Sequence, residues 1–176
     1  MDPLRFPLGA FTPIEHPSHE DRARTRTQIS ELASTLRSMV QRLDHEQLDT
    51  PYRQEGWTIR QIVHHLADND MNAYFRLKRA LTEESPLASS YREDLWAEQR
   101  DYKELPIENS LILLEKLHQR LSILLQHLEP HQYARPLQTK ALGVITIDTA
   151  LQRFVWHNQH HMAQISALLQ RKGWNG

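Results

Sequence analysis

An all-α, four-helix-bundle fold is predicted for this 176-residue chain by three observations. Glycine is scarce, 5 residues in all against a usual ~7 %, which leaves few turn-formers for a turn-rich β fold or for Gly-rich phosphate loops. Four long segments repeat apolar residues at three- and four-residue steps. Those segments open at capping residues or stop at proline or glycine, the punctuation of separate helices in a bundle. The length suits one domain, 1–176, able to bury a core without staples.

The elements follow in order. Pro3, Pro7, Pro13 and Pro17 forbid a helix and predict an extended, proline-rich N-terminal arm lying over the domain. Ser18 to Asp21 reads as a capped start, and Ile29, Leu32, Leu36, Val40 and Leu43 continue as the first long helix. Pro51 and Gly56 break the chain after Leu48. Thr58 to Gln61 is a second capping box, and the helix behind it runs to about Glu83. Residues 85–108 are punctuated by Pro86 and Pro106, with a short helix expected around Tyr91–Lys103. Asn109 or Ser110 opens the third long helix, which Pro130 ends. Leu137, Val144, Ile145 and Ile147, with Pro136 and Gly143, suit a short hairpin. Thr146 or Asp148 caps the fourth long helix, and Gly173 stops it.

Composition excludes several functions. Lys+Arg number 21 and Asp+Glu 22, so no positive excess exists to neutralise nucleic-acid or membrane phosphates. No apolar run approaches the ~18 residues of a membrane span. The start, with Asp2, Pro3 and Pro7, lacks the charge and apolar run of a signal peptide, so a cytoplasmic location is expected. With no cysteine there is no disulfide, no Cys–zinc site and no cysteine nucleophile. Any thiol chemistry must come from a substrate. No Ser-His-Asp order, P-loop or dinucleotide fingerprint is present.

Histidine carries the chemistry: 11 residues, five of them in two short stretches. On a wheel of the fourth helix with Phe154 at 0°, His161 falls at about 340° and His157 at about 300°, inside and at the edge of the apolar arc. Four residues apart, their imidazoles can converge on one ion. Gln164 lies next to both, and His160 points further out. On the second helix His65 lines up with Asn69, Asn72 and Arg76 along the bundle-facing edge, whereas His64 points away. The wheel therefore favours His65 over His64 as a third ligand. Three neutral imidazoles leave an open coordination position, the pattern of a catalytic site; the competing reading is buried histidines satisfied singly by protein groups. His16, His19, His45, His118, His127 and His131 read as surface residues. Asp70 is a candidate base or the partner of a buried arginine, with the pairing favoured. Arg76 and Arg153 suit a substrate carboxylate or, more commonly, solvent. Trp57 and Trp156 read as core or helix-end packing.

Leu48 to Arg53, Gly56 to Asp68, Leu81 to Pro86 and Val155 to Ile165, together with Phe6 to Gly9 in the arm, resemble the DinB superfamily. The similar branch is the YfiT-like group of metal-dependent hydrolases and bacillithiol S-transferases. The resemblance implies a DinB-like bundle with His65, His157 and His161 as metal ligands, in agreement with the wheel. It also implies one divalent ion per subunit (nickel or zinc, with cobalt or manganese as further precedents), a homodimer and a cytoplasmic enzyme. Asp70 and Gln159 stand where some relatives carry further histidines, and the turn Gln138 to Gly143 is shorter and less polar than in the group, so substrate identity stays open. The expected activity is metal-dependent transfer of a low-molecular-weight, bacillithiol-like thiol to a small electrophile. Hydrolysis by metal-activated water and a non-catalytic metal-stabilised dimer are the alternatives; no catalytic residue is assigned beyond the ligands.

Overall fold

Sequence punctuation sets the helix ends. The structure, a computed structural model, describes residues 2–174. Helix α1 (His19–Val40) opens on the Ser18–Asp21 capping box, in which each side chain accepts from the other residue's backbone N–H. A short helix α2 (His45–Leu48) follows, boxed by Asp44 and Gln47. Helix α3 (Ile59–Thr82) opens on the Thr58–Gln61 box. The expected short helix near Tyr91–Lys103 is two, α4 (Glu93–Trp96) and α5 (Arg100–Glu104). Helix α6 (Ile107–Gln126) starts earlier than Asn109 because Pro106, which lacks an N–H, is tolerated at a helix entry. A 3-10 turn (Pro130–Ala134) leads into β1 (Pro136–Thr139) and β2 (Gly143–Thr146), an antiparallel hairpin pairing Pro136 with Thr146 and Thr139 with Gly143. Helix α7 (Ile147–Lys172) is capped by Thr146, not Asp148, and closed by Gly173 at φ 66°, the left-handed conformation glycine adopts without strain.

The long helices make a four-helix bundle with an uncommon connectivity. α1 packs on α6 and α7, and α3 packs on the same two, so α1 faces α3 across a diagonal and α6 faces α7. Arg37 late in α1 pairs with Glu108 early in α6, so these run antiparallel. Arg22 and Asp148 join the starts of α1 and α7, which run parallel. His64 and Asp70 of α3 meet Ser110 and His118 of α6 in the same order, so this pair is parallel too. α3 and α7 are antiparallel: Asn69 meets His157, while Arg171 reaches the Tyr52 carbonyl just before α3. The order is up-down-down-up.

Parallel neighbours need a connection that climbs back along the bundle, about 36 Å for the 24 residues of α3. Residues 83–106 do this. The Ser89 carbonyl accepts from Arg76, the Ala97 carbonyl from Gln61, and the Tyr102 hydroxyl donates to Asp68. Its lower end joins the hairpin: Ala88 N–H donates to the Gln138 carbonyl and Gln138 N–H to that of Pro86. Ile29, Leu36, Ile62, Leu66, Leu114, Leu121, Ile165 and Leu168 are fully buried between the four helices. Among the described residues, no helix is long and apolar enough to cross a membrane.

Candidate metal centre and its pocket

Antiparallel packing of α3 on α7 brings His65 against His157 and His161. One nitrogen from each lies within 4.8 Å of the others, and no other group of three His, Cys, Asp or Glu side chains does so among the described residues. The Nε2 atoms of His65 and His157 are 3.4 Å apart. Two nitrogens each ~2.0–2.1 Å from one tetrahedral ion are separated by about that much. His65 is 1 % exposed, and among the described residues its ring has no hydrogen-bond partner except the facing His157 nitrogen. A buried imidazole satisfied only by another imidazole is poorly served by the protein alone. The donor set therefore fits a divalent cation.

The three rings are held neutral. Burial pushes the His65 and His157 pKa values well below the usual ~6.5, and the neighbouring imidazoles push the same way. Burial brings His161 to about 4, opposed by its bond to Gln164. Deprotonated imidazoles are the form a metal requires. Trp57 covers one side, its ring 4.6 Å from His65 and stacked 6.0 Å from His161.

The supporting residues orient the rings. The Gln164 Oε1 accepts from His161 Nδ1 at 2.9 Å, which leaves His161 Nε2 for an ion. The Gln164 Nε2 donates to the Arg5 carbonyl at 2.8 Å and lies 3.2 Å from His160 Nε2. Asn69 faces His157 Nδ1 at 3.2 Å. Gln152, Trp156, His160 and Gln164, four residues apart on one stripe of α7, carry the N-terminal arm. Gln152 bonds both backbone groups of Ile14, Trp156 packs on Phe11 and His160 on Phe6. The predicted arm lies over the domain, but residues 2–9 fold into turns instead of running extended. Phe6 N–H is bonded to the Asp2 carbonyl and Gly9 N–H to that of Phe6, and the arm is pinned to the stripe beside His157 and His161.

Several sequence expectations change. His118 is not a surface residue: it is 3 % exposed, and its Nε2 lies 2.7 Å from Asp70 Oδ2. Asp70 accordingly pairs with a histidine instead of an arginine. Its other oxygen accepts from Asn158 and Asn69, so this fully buried carboxylate is committed to structure. His118 occupies the apolar stripe of Leu114, Leu121 and Leu125, a spacing that marked it as inward-facing. His160 is buried beneath the arm, not turned outward. His64 points away from the cluster as expected, bonding Ser110 Oγ at 2.7 Å and the Leu105 carbonyl. Asn72 bonds the Asp68 carbonyl of its own helix and takes no part in the site.

A cavity of about 300 Å³ opens beside His157. Leu77, Leu121, Leu137, Leu151 and Phe154 form its apolar floor, and Arg76, Arg153 and Tyr91 face it. The arginines, expected to prefer solvent, line this pocket instead. Sequence spacing did not reveal Tyr91, which the returning connection brings in.

A cluster of three histidines able to hold a metal, set between two helices of a bundle, defines the class of protein. Residues 28–165 match the sequence profile of the DinB superfamily, and the chain belongs to that family. It is 42 % identical to the Bacillus subtilis (strain 168) protein named "Putative metal-dependent hydrolase YfiT", over 98 % of this chain and 97 % of that one. It is 44 % identical to a "Putative metal-dependent hydrolase" of Geobacillus thermodenitrificans (strain NG80-2), over 99 % and 98 %. The solved structure of YfiT, described as having an unusual four-helix bundle topology, superposes with a TM-score of 0.95 at 41 % identity, covering 98 % of this chain and 99 % of the other.

Proposed function

We propose that the protein is a metal-dependent enzyme that holds one divalent ion on His65, His157 and His161 and transfers a low-molecular-weight thiol to a small electrophile. When bound there, the ion supplies Lewis acidity that lowers the pKa of a coordinating thiol or water. The observation that carries the choice is the engagement of Asp70. Hydrolysis calls for a general base within reach of an attacking water. Asp70, linked to His157 through Asn69, spends both oxygens on His118, Asn158 and Asn69. Thiol transfer makes a smaller demand, because a thiol ionises near ~8.5 before any assistance. The chain's own residues keep three imidazoles neutral, fix His161 through Gln164 and shield one side with Trp57. The chain holds no cysteine to compete with a thiol for the ion. In the reaction the thiol S–H loses its proton to solvent water, sulfur bonds to the electrophilic carbon, and the leaving group departs with the electron pair of the broken bond. The names of the relatives favour a second reading, hydrolysis of a small substrate.

The test is turnover of an aryl chloride with cysteine, glutathione and bacillithiol in separate arms, with no thiol, and after chelation. Metal-dependent formation of thioether and chloride, only with a thiol present, is expected. Metal-dependent turnover that proceeds equally without thiol and yields the hydroxylated product overturns transfer in favour of hydrolysis. The expected cytoplasmic homodimer is part of the proposal, and sedimentation of the purified protein tests its assembly.

A further inference from the structure

The pocket beside His157 is electrostatically unbalanced. Arg76, Arg153 and Lys140 line it against a single carboxylate, Glu93, which is exposed at its rim. Among the described residues, neither arginine lies within 4.0 Å of a carboxylate oxygen. Arg76 donates Nε and Nη2 to one neutral acceptor, the Ser89 carbonyl, and among the described residues the Arg153 guanidinium has no hydrogen-bond partner. Burial lowers the Arg76 pKa, and the facing Arg153 guanidinium adds to that lowering. Arg153 also presses on His157, one turn further along α7. Tyr91, in the same lining, has a buried hydroxyl with no partner among the described residues, and burial raises its pKa, so it stays a neutral donor.

Half-buried like charges with unspent donors are costly unless an anion completes them. The bland reading, two arginines spread into solvent, suits neither their shared cavity nor the buried Tyr91 hydroxyl. The apolar floor asks for the opposite chemistry at the other end of the ligand.

We infer that Arg76, Arg153 and Tyr91 form an anion subsite, one helical turn from the histidine cluster, that selects small substrates carrying a carboxylate on an apolar body. This deepens the functional reading above and rests on it for the pocket's role as a substrate site. The carboxylate is held by the guanidiniums and the phenol. The hydrocarbon lies on Leu77, Leu121 and Phe154, and the reacting atom is left toward His157. Selection by charge follows from desolvation: a neutral amide of the same shape leaves both cations unpaired.

The test is calorimetric binding of 4-phenylbutyrate and of 4-phenylbutyramide to zinc-loaded and to chelator-treated protein, with zinc content measured in every sample. Both states are expected to prefer the carboxylate by about tenfold or more. Arg153→Met should bring that preference close to one with zinc content unchanged, and Arg153→Lys should retain part of it. Arg76→Met serves as a second variant, its fold checked by circular dichroism. A preference that survives both methionine variants overturns the subsite. So does a preference that vanishes on chelation, which would assign recognition to the metal, or the absence of binding at millimolar ligand. If the wild type takes up no zinc while the chelated protein still discriminates, the metal reading fails and the anion subsite stands.

Discussion

Gln164 is the residue on which ligand geometry and arm position meet. It fixes the His161 tautomer with its oxygen and holds the Arg5 carbonyl with its nitrogen. Groups that orient a metal-bound histidine typically contribute 10–100-fold to affinity. Gln164→Leu, nearly the same in volume, is expected to weaken zinc binding by about that factor in competition with a chromophoric chelator. His161→Ala should lose stoichiometric metal altogether. His64→Ala and His160→Ala should keep it; loss in either equal to that of His161→Ala would show that the ligands are wrongly assigned. Asp70 is a stability residue: Asp70→Ala strands His118, Asn158 and Asn69 in the core and should cost roughly 3 kcal/mol in urea unfolding. A cost below 1 kcal/mol, on the order of a surface change, would contradict its structural role.

At the level of helices and turns, the capping chemistry sets most boundaries. Thr146 accepts from Thr149 at the start of α7, where Asp148 also pairs with Arg22. Thr146→Ala is expected to destabilise the protein by about 1 kcal/mol, read from the urea midpoint at constant slope. Ser18, Thr58 and Gly173 were equally legible in the sequence, because a cap is a local event written in adjacent residues. His65, His157 and His161 were legible for a related reason: helix spacing alone selects a face. What spacing cannot convey is which helix that face meets. The stripe of Leu114, Leu121 and Leu125 turns His118 inward, but only the parallel packing of α6 on α3 supplies its partner, Asp70. Arg76 and Arg153 lie on separate helices, and their shared cavity exists only once α3 and α7 pack antiparallel. Short α2 carries too little periodicity to announce itself, although its Asp44–Gln47 box was there to be read.

The whole molecule should be sensitive to acid when stripped of metal. His65, His157 and His161 are neutral in the fold with lowered pKa values, and burial lowers His64 and His160 as well. The unfolded chain binds protons at its histidines below ~6.5, whereas the folded protein resists. The stability these rings contribute is therefore complete above that pH and is lost as pH falls toward the folded value of about 4 at His161. The urea midpoint of chelated protein should fall steadily between pH 7 and pH 5, approximately the upper part of that window. A flat profile would mean that the rings are hydrated. Zinc should restore the midpoint near neutrality by binding the native state. The up-down-down-up path has a consequence for how this architecture diversifies. All three imidazoles sit on α3 and α7, in the packed frame of the bundle. The outer rim of the cavity, by contrast, comes from the returning connection near Ser89 to Tyr91 and from the hairpin tip at Lys140 to Leu142. Connections tolerate insertion and exchange far better than packed helices. Insertion or exchange at the rim can therefore alter how large a substrate is admitted, while the imidazoles and the Arg76–Arg153 pair, all carried by α3 and α7, stay in place.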